Sequence, residues 1–247
     1  MMFDFSGRCL VLTGAIGGIG RAVAELFCNA GADLVLADLD GAALDIFADE
    51  LRARGKTGRI TSLAVDAANP EDADRIVQTA ADMGGIDFLL PSAGIYLAEP
   101  FPEMSDAQWR RTLSINLDGV FFLTRRAVPL FKPNSSVVFL GSLAAMRGAV
   151  ANAHYAASKG AMISMGRSLA KELAPQTRVN TVAPGVIDTP MTQNLITTRG
   201  DETLRQTPLG RFGKASEVAS VIGFLCSPAA SFVTGETIQV NGGIYMA

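Results

Sequence analysis

Short aliphatic runs alternate along the chain with longer stretches whose apolar residues recur at helical spacing. Cys9-Leu10-Val11-Leu12 precedes a helical stretch over 19–30, and Asp33-Leu34-Val35-Leu36-Ala37 precedes one over about 41–54. A run at 60–65 leads into Asn69-Pro70-Glu71-Asp72, which reads as a cap, an N1 proline and two acids in a first helical turn. Phe88-Leu89-Leu90 leads to a helix starting near Ser105-Asp106, and Val137-Val138-Phe139-Leu140 to a long helix over about 152–173. Val179-Asn180-Thr181-Val182 and Thr237-Ile238-Gln239-Val240 complete seven strands. Strands this continuously apolar predict an α/β fold, a seven-stranded parallel doubly wound sheet with helices on both faces.

One segment breaks the alternation. From about 190 to 213 the chain is polar (Thr192, Gln193, Asn194, Thr197, Thr198, Arg199, Asp201), interrupted by Leu195 and Ile196. It follows a strand end, where open α/β sheets place their ligands, and reads either as a substrate lid or as an ordinary surface excursion. No repeat, low-complexity tract or Pro/Ser linker divides the chain, so one domain over 1–247 is expected.

Composition changes this picture little. The 247 residues are 49% hydrophobic, enough for one large core, and 21 basic against 24 acidic residues leave no basic stripe for a nucleic acid. Cys9, Cys28 and Cys226 sit far apart in apolar runs and read as buried free thiols of a reducing, cytoplasmic compartment. The start, Met1-Met2-Phe3-Asp4-Phe5-Ser6-Gly7, lacks the pattern of a signal peptide, and the apolar runs are too short to span a bilayer. No cluster has metal-ligand spacing.

Directly after the first strand comes Thr13-Gly14-Ala15-Ile16-Gly17-Gly18-Ile19-Gly20. Glycines at 14, 18 and 20 permit a sharp turn, admit a pyrophosphate against bare backbone and let a helix pack closely on the sheet. Asp38 closes the second strand, where a carboxylate accepts the adenosine-ribose hydroxyls of NAD and repels the extra phosphate of NADP. Neither Gly17 nor Leu39 is basic, so nothing waits for a 2′-phosphate. Asp66, after the third strand, is a further candidate at the adenine edge.

Chemistry concentrates between Leu140 and Lys159. Ser142 follows a strand end, and Tyr155 and Lys159 stand four apart on one helical face. A neighbouring ammonium favours phenolate, as would the positive ring of oxidised nicotinamide, so Tyr155 is expected to have a lowered pKa and to serve as base toward an alcohol or acid toward a carbonyl. Ser142 is expected to hydrogen-bond the same substrate oxygen.

Taken in order, these motifs resemble the short-chain dehydrogenase/reductase family from Arg8 onward. The matching pieces are Thr13-Gly14 with Gly18-Ile19-Gly20, Asp38, Ala93-Gly94, Asn116 in Ser114-Ile115-Asn116-Leu117, Ser142, Tyr155 with Lys159, Asn180, Pro184-Gly185, and the tail from Thr234 to Gly243. The resemblance implies a Rossmann fold and a catalytic tetrad of Asn116, Ser142, Tyr155 and Lys159, in which Asn116 supports a water linking Lys159 to solvent. It implies an NAD site bordered by Gly14, Ile16, Gly18, Ile19, Asp38, Asp66, Ala93, Gly94, Tyr155, Lys159, Pro184, Gly185 and Thr189, with hydride passing to or from the nicotinamide C4. It also implies a homotetramer or homodimer built on the helices of Asn116 and Tyr155 and the C-terminal strand.

One departure from the family matters. Pro91-Ser92 stands where the family usually has two asparagines, and altered sheet-end packing or weaker ribose contact is expected there. Among remaining candidates, His154 reads as a partly exposed or pocket-lining helix residue. Met146, Met162 and Met191 read as core filler or pocket wall, and Trp109 as helix packing. The tail from Thr234 to Met246 is similar to that of 3-oxoacyl thioester (acyl-carrier-protein) reductases, which typically use NADPH and dock an acidic carrier on basic residues. Here Lys132-Pro133-Asn134-Ser135-Ser136 and Lys171 leave little basic surface for that docking, and Asp38 argues for NAD. The alternative substrate is a small polyol, sugar or hydroxy acid. A non-catalytic NAD-binding protein would have a damaged tetrad, and all four residues are present.

Overall fold

The computed structural model describes residues 3–54 and 58–246. Met1 and Met2, which begin the expected leaderless N-terminus, lie outside them. The first half of the chain reads β1 (Cys9–Thr13), α1 (Gly18–Asn29), β2 (Asp33–Asp38), α2 (Gly41–Arg52), β3 (Ile60–Ala64), α3 (Pro70–Asp82) and β4 (Ile86–Pro91). The second half reads α4 (Asp106–Leu113), α5 (Gly119–Ala127), β5 (Phe131–Leu140), α6 (Leu143–Arg147), α7 (Ala153–Glu172), β6 (Thr177–Pro184), β7 (Ile187–Asp188), α8 (Gln193–Gln206), β8 (Gly213–Lys214), α9 (Ala215–Cys226) and β9 (Thr237–Val240). The seven long strands form one sheet in the order β3-β2-β1-β4-β5-β6-β9, every pair parallel. Successive side chains on a strand point to opposite faces. Leu10 and Leu12 of β1 join one buried cluster, with Val23, Phe27, Val218 and Ile222 of α1 and α9. Cys9 and Val11 join the other, with Ile76, Val120, Leu123 and Met162 of α3, α5 and α7. Burial on both faces is why these strands read as unbroken apolar runs.

The expected caps are present. Asn69 accepts from the Glu71 N–H at 3.1 Å ahead of Pro70, and Ser105 and Gln108 form a reciprocal capping box on α4. The strand order reverses at β1, which lies between β2 and β4, so a crevice opens at the carboxyl ends of β1 and β4. Gly14 turns the chain there at φ 66°, and a Cβ on it would stand 2.7 Å from the Ala93 nitrogen. At Pro91, which has no N–H to give, the ladder continues one residue on: Ser92 N–H donates to Thr13 O at 3.2 Å.

Two regions differ from the sequence pattern. The single helix expected from Ser105 is interrupted by a π-helical turn over Ser114–Asp118. The polar stretch 190–213 is mostly the helix α8, which has no buried residue and therefore no apolar stripe to announce it. It leaves after β7 and returns at β8, and these two short strands pair in parallel, Ile187 with Gly213 and Asp188 with Lys214. The excursion is thus tied at both feet. No helix is long and apolar enough to cross a membrane among the described residues.

Candidate active site

Two cavities open along the carboxyl edge of the sheet. The first, about 440 Å³, is lined by every expected site residue except Asn116. The second, about 760 Å³, lies between α6, the start of α7 and α8. Ser142, Tyr155, Gly185, Met191 and Thr192 line both, so the Ser142 and Tyr155 side chains stand where the two spaces meet.

The first cavity begins at the glycine turn. Helix α1 starts after Gly17 with no side-chain cap and no acid in its first turn, leaving free N–H groups and the positive end of the helix dipole at the cavity. A Cβ on Gly18 would run into the Thr189 side chain, so the glycine keeps this cradle open. Asp38 lines the far end; its Oδ2 accepts from the Ile16 N–H at 3.1 Å and its Oδ1 from the Leu39 N–H at 2.8 Å. Lys159 is the one basic residue on this cavity among the described residues. Asp66 lines it too, with Oδ1 accepting from Ala68 N–H at 2.9 Å. Bare glycine backbone, an open helix N-terminus and a carboxylate at the end of β2 fit a dinucleotide.

Tyr155 and Lys159 occupy one face of α7, with Lys159 Nζ 5.7 Å from the Tyr155 ring centre. Lys159 is 7% exposed, and its ammonium donates to Leu140 O at 3.0 Å. Burial pulls this lysine down to about 8, one unit above neutrality, so the charged form still predominates at pH 7. The expected lowering of Tyr155 is corrected. Burial pushes its phenol up to about 12, with Ser142 beside it acting the other way. The lysine is turned toward Leu140 O, and desolvation of a phenolate outweighs what the polar neighbours return.

Asn116 lies outside both cavity walls, fully buried in the π-helical turn. Its Oδ1 accepts from the Ile95 N–H at 2.8 Å and its Nδ2 donates to Ile95 O at 3.0 Å, so the amide clamps the backbone of Ile95 on both sides, in the loop after β4. Gly94 separates it from Lys159: a Cβ there would be 3.1 Å from Asn116 Oδ1 and 3.9 Å from Lys159 Nζ. A helix needs extra width at one turn to hold such a side chain inward, and π turns recur at such positions.

His154 is also corrected. It is fully buried and lines neither cavity. Its Nε2 approaches Glu99 Oε2 to 2.8 Å without hydrogen-bond alignment, which leaves both ring nitrogens and that oxygen as buried atoms lacking a hydrogen bond. Glu99 N–H donates to Ala151 O at 2.7 Å, so this contact ties the loop after β4 to the start of α7. Of the methionines, Met162 is core and Met191 is half exposed on both cavities. Asn180 binds the tail, through Nδ2 to Val233 O at 2.9 Å and Oδ1 from Glu236 N–H at 3.1 Å.

Sequence reasoning missed the other wall. Tyr96 packs edge-on against Tyr155, with ring centres 4.7 Å apart at 75°. Arg147 and Arg199 line the second cavity from α6 and α8. No spacing rule links three residues from separate elements; the one available signal was a tyrosine two residues after Gly94.

Comparison with known proteins agrees with this architecture. A sequence model of the family described as enoyl-(acyl carrier protein) reductase matches residues 14–245. A 3-oxoacyl-[acyl-carrier-protein] reductase of Vibrio cholerae is 35% identical over 98% of this chain and 99% of its own length. The Thermotoga maritima enzyme of the same name is 37% identical over 96% and 98%. Among solved structures, a Brucella melitensis protein described as short-chain dehydrogenase/reductase SDR: glucose/ribitol dehydrogenase is 64% identical, covers all of both chains and superposes with a TM-score of 0.96. A 3-oxoacyl-[acyl-carrier protein] reductase from the same organism, with bound NAD, is 35% identical over 98% of this chain and 92% of its own, with a TM-score of 0.88.

Proposed function

The chain belongs to the short-chain dehydrogenase/reductase family, and from that premise we propose that it interconverts a secondary alcohol and a ketone with NAD(H). It is an oxidoreductase of carbonyl or hydroxyl groups and takes a nicotinamide cofactor, which when bound supplies or accepts the hydride. The observation that carries the reading is the position of Ser142 and Tyr155 at the junction of the two cavities, where a substrate oxygen from one space meets a cofactor in the other. In this reading the Ser142 hydroxyl orients that oxygen and Tyr155 gives it a proton during reduction or takes one during oxidation. Lys159 supplies positive charge and a proton path near Tyr155, and Asn116 holds the Gly94–Ile95 backbone that borders it. Gly14, Ile16, Gly18 and Ile19 hold the pyrophosphate end; Ala93, Gly94, Pro184, Gly185 and Thr189 border the nicotinamide end. Asp66 lies at the adenine edge.

NAD rather than NADP is supported by the Asp38 carboxylate, with Lys159 the sole basic residue on this cavity among the described residues and that one at the chemical end. The substrate reading keeps two members. Curated relatives named 3-oxoacyl-[acyl-carrier-protein] reductase support a 3-oxoacyl thioester. The polar residues that α8 brings to the second cavity, Asn194, Thr198, Arg199 and Glu202, together with the 64% identical neighbour described as a glucose/ribitol dehydrogenase, support a small polyol, sugar or hydroxy acid. The reading further takes the chain as one cytoplasmic domain with α8 as a lid. It takes the active form as a homotetramer or homodimer, supported by Phe121 standing 47% exposed on α5.

NADH oxidation with acetoacetyl-CoA, beside NADPH and beside the Tyr155→Phe protein, tests this. Tyr155-dependent turnover that favours NADH supports it. Preference for NADPH would overturn the account of Asp38. Failure with acetoacetyl-CoA and with a set of small ketones and polyols, while NADH binds, would overturn the catalytic reading.

A further inference from the structure

The wall of the second cavity is not electrically neutral. Arg147, at the end of α6, and Arg199, within α8, both line it, and neither enters an ion pair among the described residues. Among the described residues the single carboxylate on the same wall is Glu202. Its Oε1 accepts from Gln206 Nε2 at 3.3 Å, and Gln206 Oε1 accepts from Arg147 Nη2 at 2.9 Å. Glu202 and Arg147 are thus joined through a neutral amide, and Arg199 keeps a guanidinium with no counter-charge.

Arg199 also has the one non-helical backbone inside α8, at φ −136° and ψ 17°, so the helix kinks at this residue. Across the cavity stands Tyr96, edge-on to Tyr155. Burial pushes the Tyr96 phenol up and the charge of Arg199 acts against it, so the guanidinium is felt one aromatic ring away from the reacting hydroxyl. A guanidinium offers a planar fork of donors that matches an oxyanion, and charge-assisted pairs of this kind are about twice as strong as neutral ones.

We infer that the substrate carries an oxyanion, a carboxylate or a phosphate ester, which Arg199 holds with Arg147 beside it while the reacting oxygen lies at Ser142 and Tyr155. This rests on the reading of Tyr155 as the proton donor and acceptor. It narrows that reading toward anionic hydroxy and oxo compounds and away from neutral polyols. Arg199 then determines specificity through ground-state binding, so its loss is expected mainly in KM.

The test is kcat/KM for NADH-dependent reduction of matched pairs: acetoacetate and 4-oxopentanoate against their methyl esters, and dihydroxyacetone phosphate against dihydroxyacetone. Acetoacetyl-N-acetylcysteamine serves as a neutral thioester. The expected result is a preference of about tenfold or more for the anion in at least one pair. That ratio falls toward one in Arg199→Gln and is partly kept in Arg199→Lys, with the change in KM. A preference confined to the phosphate pair assigns the phosphate ester, and one confined to the oxo acids assigns the carboxylate. Neutral members reduced as well as the anions, or a ratio unaltered by Arg199→Gln, would overturn the inference and leave the proposed function standing. No turnover of any ketone, thioester included, would remove both.

Discussion

The two walls of the crevice are made of different material. The cofactor wall is mostly backbone: the glycine turn after β1, the uncapped start of α1 and the strand end at Asp38, all within 25 residues of one another and fastened by the sheet. The substrate wall is mostly side chain. Tyr96, Arg147 and Arg199 come from three separate segments, and its outer part, α8, has no buried residue. A backbone cradle built from contiguous residues leaves a motif. A side-chain wall gathered from distant elements leaves none, and it is free to differ between proteins that share the other wall.

This contrast can be tested where the walls meet and on each side. The largest effect belongs to the junction: Tyr155→Phe should lower kcat by about 10³-fold while NADH binding, followed by fluorescence titration, stays within a few-fold. A matching loss of NADH affinity would show that Tyr155 serves the cofactor wall instead. On the cofactor side, Asp38→Ala removes the carboxylate and frees the Ile16 N–H. The ratio of kcat/KM for NADH to that for NADPH should fall by about 100-fold, the worth of two charged hydrogen bonds, with acetoacetyl-CoA kinetics as readout. An unchanged ratio would remove Asp38 as selector.

On the substrate side, His154→Leu leaves Glu99 facing an apolar group at the base of the loop that carries Tyr96. Setting an apolar group in place of a polar one against that partly buried carboxylate costs about 2 kcal/mol, or roughly 4–8 °C in Tm, by thermal unfolding, with NADH affinity retained. A Tm within one or two degrees of the parent would mean the contact carries no weight. The smallest effect is graded with pH. Because burial holds Tyr155 up at about 12, its phenolate fraction grows about tenfold per pH unit below that value. Oxidative kcat/KM, which reports the free enzyme, should therefore climb with a slope near one between pH 6 and 8. The reductive value needs the protonated phenol and should stay level there, declining only as Lys159 passes its own value of about 8. An oxidative profile flat over that range would contradict the raised phenol.

Much of this arrangement was legible from residues alone, for reasons the contrast makes plain. The seven parallel strands showed because each is buried on both faces. The caps at Asn69 and Ser105 showed because a cap needs one residue type at one place. Tyr155 and Lys159 could be placed on one helical face because they stand four apart, while Ser142 and the roles of all three came from the family resemblance. What stayed hidden depended on surroundings. The Tyr155 phenol was expected low because the sequence displays a lysine but not the burial around it. His154 was expected at a surface or in the substrate pocket because nothing in the sequence brings Glu99 to it. Helix α8 was invisible because an exposed helix has no apolar period.

The π-helical turn at Ser114–Asp118 sets how this region tolerates insertions and deletions. Such a turn accommodates one surplus residue, and one residue of an α-helix corresponds to about 100° of rotation. Deleting a single residue there would restore regular winding with α5 still on its present face, but would withdraw the inward amide of Asn116. Adding one would exceed what the turn absorbs and swing α5 about its axis relative to α4, carrying Val120 and Leu123 out of the core. The chain can therefore vary its side chains along α4 and α5, but not their combined length, without losing either the inward amide of Asn116 or the packing beyond it.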